Sequence, residues 1–405
     1  MPARPRRRLV IVAALVIAGM AAACAPVAAP PPPPPAPPAP SPPPPPPATN
    51  TCSGPIVTDD GSTQFFEVVE DGDGDAPEAV TFEAATEGEK QAEIAQIEAT
   101  EGDVVTVEPD QLVTVTDQDP NTDPDYAANR QWGVGAAGFP TAWGPTNANS
   151  RGAGTTIAIL DTGVLASHQD LTGGVINGVD HVGGVPNATT DPHGHGTHVA
   201  GIAGARDNTI GGVGAAPDVT IYPVRVLGDT GAGSYSSVIN GINSAIAQGV
   251  DVISMSLGGS GYSQAMQDAV TNAVNADIVV VAAAGNSSSC NAQYPAKLIG
   301  VIGVAATDDP GTALSSFSER GPDVDIAAPG RTIWSTLNTG SYDNMSGTSM
   351  ATPFVSAAAA LLLSCGVAPA NVESALEDTV SPPIANIQPD SGALRADLAT
   401  AAACP

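Results

Sequence analysis

The stretch Thr155-Thr156-Ile157-Ala158-Ile159-Leu160-Asp161-Thr162-Gly163-Val164 decides the fold. Its apolar run does not alternate with polar residues, so both faces of the strand it forms must be covered, the situation of a parallel sheet between two helix layers. The run ends in a carboxylate and a glycine turn. Further apolar runs at 219–226, 250–255, 278–283 and 298–305 read as strands, with helix-like segments between them at 198–205, 235–248 and 262–275. This alternation predicts an α/β fold from about residue 131 onward, a mostly parallel sheet with helices on both faces. Chemistry in such sheets gathers at the carboxyl ends of strands, where Asp161 stands.

Three other segments carry reactive side chains. Asp161, charged at the end of an apolar strand, is costly without a hydrogen-bond partner, although such a residue by itself is more often structural. His193-Gly194-His195-Gly196-Thr197-His198 puts three histidines in six positions ahead of a helix of small residues, which also opens a transition-metal reading. No nearby Cys or Glu completes a familiar zinc pattern. Ala282-Ala283-Ala284-Gly285-Asn286 is a strand end followed by an amide, alone no more than a turn. Met345-Ser346-Gly347-Thr348-Ser349-Met350-Ala351-Thr352-Pro353 opens an apolar helix. Pro353 is expected near enough to the start that its missing N–H falls among the unpaired donors there. Ser349 then sits at a helix N-terminus, where backbone donors favour developing negative charge.

Taken in the order Asp, His, Asn, Ser, the four segments resemble those of the subtilisin-like serine proteases, over roughly residues 131–405. An α/β-hydrolase would carry its serine first, in a Gly-x-Ser-x-Gly elbow. The resemblance implies a serine endopeptidase that hydrolyses protein or peptide substrates through an acyl-enzyme. Ser349 is the nucleophile, His195 the base, Asp161 the orienting carboxylate and Asn286 an oxyanion donor beside the Ser349 amide. His198 is a helix residue outside the triad, and His193 receives no role. The substrate-binding strands of the family correspond to Gly231, Gly233 and Tyr235, with Tyr235 lining an apolar subsite, and to Ser256, Leu257, Gly258 and Gly259. With no acidic cluster beside them, a broad, apolar-leaning specificity is expected. A structural calcium is implied at Gln131, Asp170, Arg206, Asn208, Ile210 and Gly212, since that ion takes oxygen ligands. The region before residue 131 resembles the inhibitory prodomain of these enzymes, so self-maturation is expected. The rival reading from another class, a binding scaffold on a protease-like fold, must be argued from the site.

The N-terminal third is organised differently. Arg4, Arg6, Arg7 and Arg8 precede an apolar run over 9–20 and the small residues Ala21, Ala22 and Ala23, the layout of an export signal in 1–24. Small residues before Cys24 also resemble a lipoprotein box that would acylate this cysteine. Both outcomes, cleavage and a lipid anchor through Cys24, stay open, and the protein is expected to be secreted or tethered at the cell surface. Residues 25–58 form a proline-rich linker, with 15 prolines in the 18 positions 30–47. Such a run favours an extended helix that reaches about 3.1 Å per residue. Residues 59–118 show a strand at 65–69, a helix-like segment at 87–97 and strands at 104–107 and 112–115, the pattern of a small α+β prodomain. An exposed processing linker, 119–130, leads into the catalytic domain, 131–405.

The net charge of −29 is shared unevenly, 21 acids and one base falling within 59–125. An acidic surface argues against nucleic-acid binding and against electrostatic docking on anionic lipid, and favours a soluble monomer. Cys52, Cys290, Cys365 and Cys404 form an even set once Cys24 is acylated or removed, which allows up to two disulfides of unspecified pairing.

Overall fold

The computed structural model describes 130–143 and 151–404, apart from 184–186, 209, 386 and 389–390, together with the backbone of four earlier strands. The export signal, the proline run, the helix-like segment at 87–97 and nearly all of the 119–130 linker lie outside the described residues. The chain divides into units Met1–Asn50 and Thr51–Pro405, and every described residue belongs to the second.

Four strands precede the catalytic region: β1 (Gln64–Glu70), β2 (Glu78–Glu83), β3 (Asp103–Pro109) and β4 (Leu112–Val115). The first three form an antiparallel sheet in the order β2-β1-β3. Strand β2 was not foreseen from sequence. Two short helices follow, α1 (Trp132–Ala136) and α2 (Phe139–Ala142).

The main layer is then assembled from β5 (Thr156–Asp161), β6 (Val179–Asp180), α3 (His195–Gly204), β7 (Thr220–Arg225), β8 (Ala232–Ser234), α4 (Tyr235–Gln248), β9 (Val252–Met255), β10 (Leu257–Gly258), α5 (Gln264–Asn275), β11 (Val279–Ala283), β12 (Val301–Thr307) and β13 (Ile326–Pro329). A hairpin, β14 (Ile333–Thr336) and β15 (Tyr342–Met345), leads into α6 (Thr348–Ser364), followed by α7 (Val372–Glu377) and α8 (Ala396–Ala403). Seven strands pair in the order β13-β12-β11-β9-β5-β7-β6, every pair parallel.

Alternate residues of each central strand serve opposite helix layers, as the two-residue period requires. Ile157 and Ile159 of β5, with Val279 and Val281 of β11, pack in the core beneath α3 and α6. Ala158 and Leu160, with Val280 and Ala282, pack in the second core beneath α4 and α5. The helices are closed by local signals. Ser234 and Ser263 accept the amides of Ser237 and Met266 and so cap α4 and α5, and Gly249 ends α4 in the left-handed region. The Cys365–Cys404 disulfide ties the end of α6 to the residue after α8.

A separate three-stranded sheet has the order β10-β4-β8. Strand β4, from the acidic N-terminal region, runs antiparallel to both neighbours, with Val115 opposite Leu257 and Val113 opposite Gly233. Gly233 tolerates no side chain here, because a Cβ would strike the Val226 carbonyl.

Candidate active site

Asp161 is the last residue of β5 and is fully buried. Its carboxylate straddles Nδ1 of His195, with Oδ1 at 2.8 Å and Oδ2 at 2.9 Å, and Oδ1 also accepts the Thr162 amide at 2.7 Å. Burial would penalise this charge heavily without such partners. His195 opens α3, which starts three residues earlier than its small-residue pattern suggested, because Gly194 takes a φ of 109° just ahead of it. A Cβ at Gly196 would meet the Gly163 carbonyl and the Asp161 side chain, so glycine lets the helix end approach the strand end.

A carboxylate that the sequence did not single out holds this helix end. Asp191 Oδ1 accepts from the Thr162 hydroxyl at 2.8 Å and from the amides of His193 and Gly194 at 3.0 and 2.9 Å. Its Oδ2 accepts the amide and the hydroxyl of Thr197 at 2.9 and 2.6 Å. Its place just ahead of a helix, where amides lack partners, was the available signal.

Ser349 lies in the first turn of α6 and is buried. Its hydroxyl donates to the Ser256 carbonyl at 3.0 Å, and the Ser256 hydroxyl donates to the Ser349 carbonyl at 2.8 Å. The second bond follows from Pro353. The helix begins at Thr348, so Pro353 falls beyond the first four amides, and its missing N–H is the one that would have reached the Ser349 carbonyl. The expectation that Pro353 merely occupies an unpaired start is thereby corrected: it leaves an acceptor that Ser256 fills.

Asn286 follows β11. Its Oδ1 accepts the Thr348 amide at 2.9 Å and the Thr348 hydroxyl at 3.2 Å. A backbone amide can only donate, so this bond assigns the oxygen of the side chain. The other end, Nδ2, is buried and has no partner among the described residues.

The three histidines do not converge. His195 Nδ1 is committed to Asp161, and His198 Nε2 donates to the Asp343 carbonyl at 3.1 Å. Burial pushes the His198 ring down to about 3, which keeps it neutral. His193 and His195 stand 6.3 Å apart, ring centre to ring centre. Among the described residues, the one group of three side chains close enough to share a metal lies elsewhere, at Asp325, Glu373 and Glu377.

Gly231 precedes β8 with a φ of 73°. Tyr235 is fully buried in the core beneath α4 and α5, its hydroxyl donating to the Gly261 carbonyl at 2.6 Å. Leu257 and Gly258 form β10, and Gly259 exchanges backbone hydrogen bonds with Tyr294 at 2.9 Å.

The proposed calcium residues also meet. Asp170 is buried, and its Oδ2 accepts the Gly212 amide and the Tyr342 hydroxyl, both at 2.9 Å, while Oδ1 has no partner among the described residues. Gln131 pairs with the backbone of Val213, donating through Nε2 at 2.9 Å and accepting through Oε1 at 3.3 Å. Asn208 donates to the Gln169 carbonyl at 3.2 Å and accepts the Ile210 amide at 2.9 Å.

The Subtilase family matches residues 152–396. Thermitase from Thermoactinomyces vulgaris is 46% identical over 255 residues, 63% of this chain and 89% of that protein. Subtilisin DY from Bacillus licheniformis is 47% identical over 218 residues, 53% of this chain and 78% of that protein. Alkaline protease from Alkalihalobacillus alcalophilus is 38% identical over 269 residues, 66% of this chain and 68% of that protein. With the family match over residues 152–396 and relatives of this identity, the chain belongs to the subtilase family of subtilisin-like serine endopeptidases.

Proposed function

We propose that Ser349, His195 and Asp161 carry out peptide hydrolysis, with Asn286 and the Ser349 amide as the oxyanion donors. The observation that carries this reading is the buried, unpartnered Nδ2 of Asn286, oriented by its bond to Thr348, the residue before Ser349. A buried donor without a partner costs about 1–3 kcal/mol, which a negatively charged oxygen appearing in the cleft would recover. The Ser349 hydroxyl adds to the scissile carbonyl carbon while His195 Nε2 takes its proton. Asp161 holds His195 through Nδ1 and stabilises the imidazolium. Return of that proton to the leaving amine gives the acyl-enzyme, which water then hydrolyses. A serine-directed phosphonyl fluoride is expected to label Ser349 in the wild type and to label His195→Ala far more slowly. Equal labelling of both would remove the activated serine.

We further propose that β4 is the end of an inhibitory prosegment lying where substrate lies. Its antiparallel pairing with β8 and β10 is the pattern of an extended peptide bound by backbone hydrogen bonds, which gives affinity with little side-chain selectivity. Val115, the last residue of β4, is opposite Leu257, which follows Ser256, whose carbonyl accepts from Ser349. The first bond cut then lies within about Thr116–Gln131, in cis and nearly independent of protein concentration. In a host lacking its own major proteases, Ser349→Ala should accumulate as a precursor retaining the acids of 59–116. Cutting of that variant at the same rate would assign the step to another protease. The same backbone-dominated binding supports broad specificity, and the N-terminal pattern supports export.

A structural calcium fits the Asp170 loop. The unpartnered, buried Asp170 Oδ1 is the oxygen such an ion would satisfy, with Gln131 and Asn208 able to add side-chain oxygens. Arg206, Ile210 and Gly212 have no side-chain acceptor and would contribute backbone carbonyls. When bound, the ion supplies structural cross-linking of this loop and takes no part in the hydrolysis.

A further inference from the structure

We propose that Glu319 is a positioning residue for Asn286, a role that rests on Asn286 being the oxyanion donor: it holds the peptide groups on both sides of Asn286 so that Nδ2 stands where the oxyanion forms. Glu319 is only 2% exposed, a burial that is costly for a carboxylate unless its oxygens accept hydrogen bonds. Those bonds go to one short loop. The Glu319 amide donates to the Gly285 carbonyl at 2.9 Å, on the near side of Asn286. On the far side, Oε1 accepts the Ser287 amide at 3.3 Å and Oε2 accepts the Ser289 amide at 2.5 Å. Asn286 is thus bracketed by bonds to a single residue, while its own Oδ1 is taken by Thr348.

The backbone of this loop needs such support. Gly285 has a φ of 113°, and a Cβ there would come within 2.9 Å of Glu319 Cγ and 3.0 Å of Gln293 Cδ, so glycine lets the glutamate stem lie against the loop. Ser288 has a φ of 58°, which is costly for a residue with a side chain and persists only where neighbours over-determine it. It lies between the two amides that share the carboxylate. Ser288 also donates its amide to the Phe317 carbonyl at 2.8 Å and its hydroxyl to the Ser316 carbonyl at 2.6 Å, and Arg320 donates its amide to the Ser289 carbonyl at 3.0 Å. Glu319 is in turn fixed to the main sheet. The Ser318 hydroxyl accepts the amide of Ala306 in β12 at 3.0 Å and donates to the Glu319 carbonyl at 2.9 Å. A path of hydrogen bonds therefore runs from β12 through Ser318 and Glu319 to the peptide groups that flank Asn286.

The chemistry of the side chain matters as much as its place. Two amides converge on it, so two acceptor oxygens are needed, and a carboxylate supplies both. Glutamine would keep the shape but turn its Nε2 donor against one of the amides, and the loop would have to shift. Such a shift moves Nδ2 of Asn286. Its bond is made to charge that develops only as the tetrahedral intermediate forms, so the loss falls on the transition state and leaves the bound substrate almost untouched.

The test is a double-mutant cycle on the full chain: wild type, Asn286→Ala, Glu319→Gln and the two changes together, assayed on a chromogenic peptide anilide. Active sites are counted with the serine-directed phosphonyl fluoride, so that only folded, competent molecules enter kcat. Glu319→Gln should lower kcat by about 10- to 100-fold, as displacement of a catalytic group does, with KM little changed. Where Asn286 is already alanine, the same change should cost almost nothing, because the group that Glu319 positions is gone. Glu319→Asp keeps two acceptors on a shorter stem and should lose less; it takes the place of Glu319→Gln in the cycle if that variant does not fold. Equal losses in both backgrounds, an unchanged kcat in Glu319→Gln, or failure of both variants to fold would make Glu319 a structural residue only and overturn the proposal while leaving Asn286 as the donor. Wild-type kcat in Asn286→Ala would instead overturn the oxyanion reading, and the positioning role with it.

Discussion

The Oδ1 of Asn286 accepts the amide of Thr348 at 2.9 Å, and this one bond turns the Nδ2 donor into a buried position with no partner among the described residues. Asn286→Ala removes that donor without touching the Asp161–His195 pair. Turnover should fall by about 10²–10³, the loss already known for an oxyanion amide in a subtilisin, with KM little changed. A folded variant with wild-type kcat would show that the amide is structural.

Stability should depend on calcium more than activity does. The Asp170 loop lies outside the triad, and an ion that binds only the folded state stabilises it by mass action. A chelator should lower the Tm of the wild type, while Asp170→Ala should melt at one temperature with or without calcium. A wild-type Tm unmoved by chelation, in protein shown to be metal-free, would reject the site.

A pH effect arises on the far side of the molecule. Asp325 is pushed up to about 7, chiefly by burial and further by Glu373, Glu377 and Asp323, against the Gly303 amide that it accepts at 2.7 Å. Glu373 and Glu377 are also raised, both mainly by burial. The folded state thus holds protons that the unfolded chain loses near pH 4, and stability falls as pH rises from about 4 to 7. Asp325→Asn keeps an acceptor for Gly303 but cannot ionise. It should melt above the wild type at pH 8 and near it at pH 4, by calorimetry. A variant less stable at both would place the value of Asp325 in its charge.

The Cys365–Cys404 bond closes a loop of 39 residues spanning α7 and α8. Loops of this length correspond to about 3–4 kcal/mol of stabilisation in the chain-entropy view. Cys365→Ala/Cys404→Ala should lower the denaturant midpoint accordingly and leave kcat unchanged, because neither residue adjoins the cleft. An unchanged midpoint would mean that packing alone retains the C-terminus.

The strands of the central sheet were legible because burial on both faces leaves continuous apolar runs, as in Ile157-Ala158-Ile159-Leu160. The sheet's edge was not. Its edge strands, β13 and β6, have four and two residues, and Ile326-Ala327-Ala328-Pro329 has too little apolar length to stand out. The candidate reactive residues were picked out by their order along the chain, whereas Asp191 was missed, since its role depends on five donors from Thr162 and from the 193–197 stretch converging on one carboxylate. The same limit explains Pro353, whose effect appears only when Ser256 is seen beside the carbonyl it leaves open.

Strand β4 covers one edge of β8 and one edge of β10, which have three and two residues. Exposed sheet edges invite pairing with other chains, and long flat ones promote aggregation. A cleft that reads peptides through its backbone must nevertheless keep such edges open when it works. Two ribbons this short, set on opposite sides of a single gap, grip one extended segment between them and offer too little length to seed a growing sheet. In the proposed binding mode such ribbons would hold a single strand at a time.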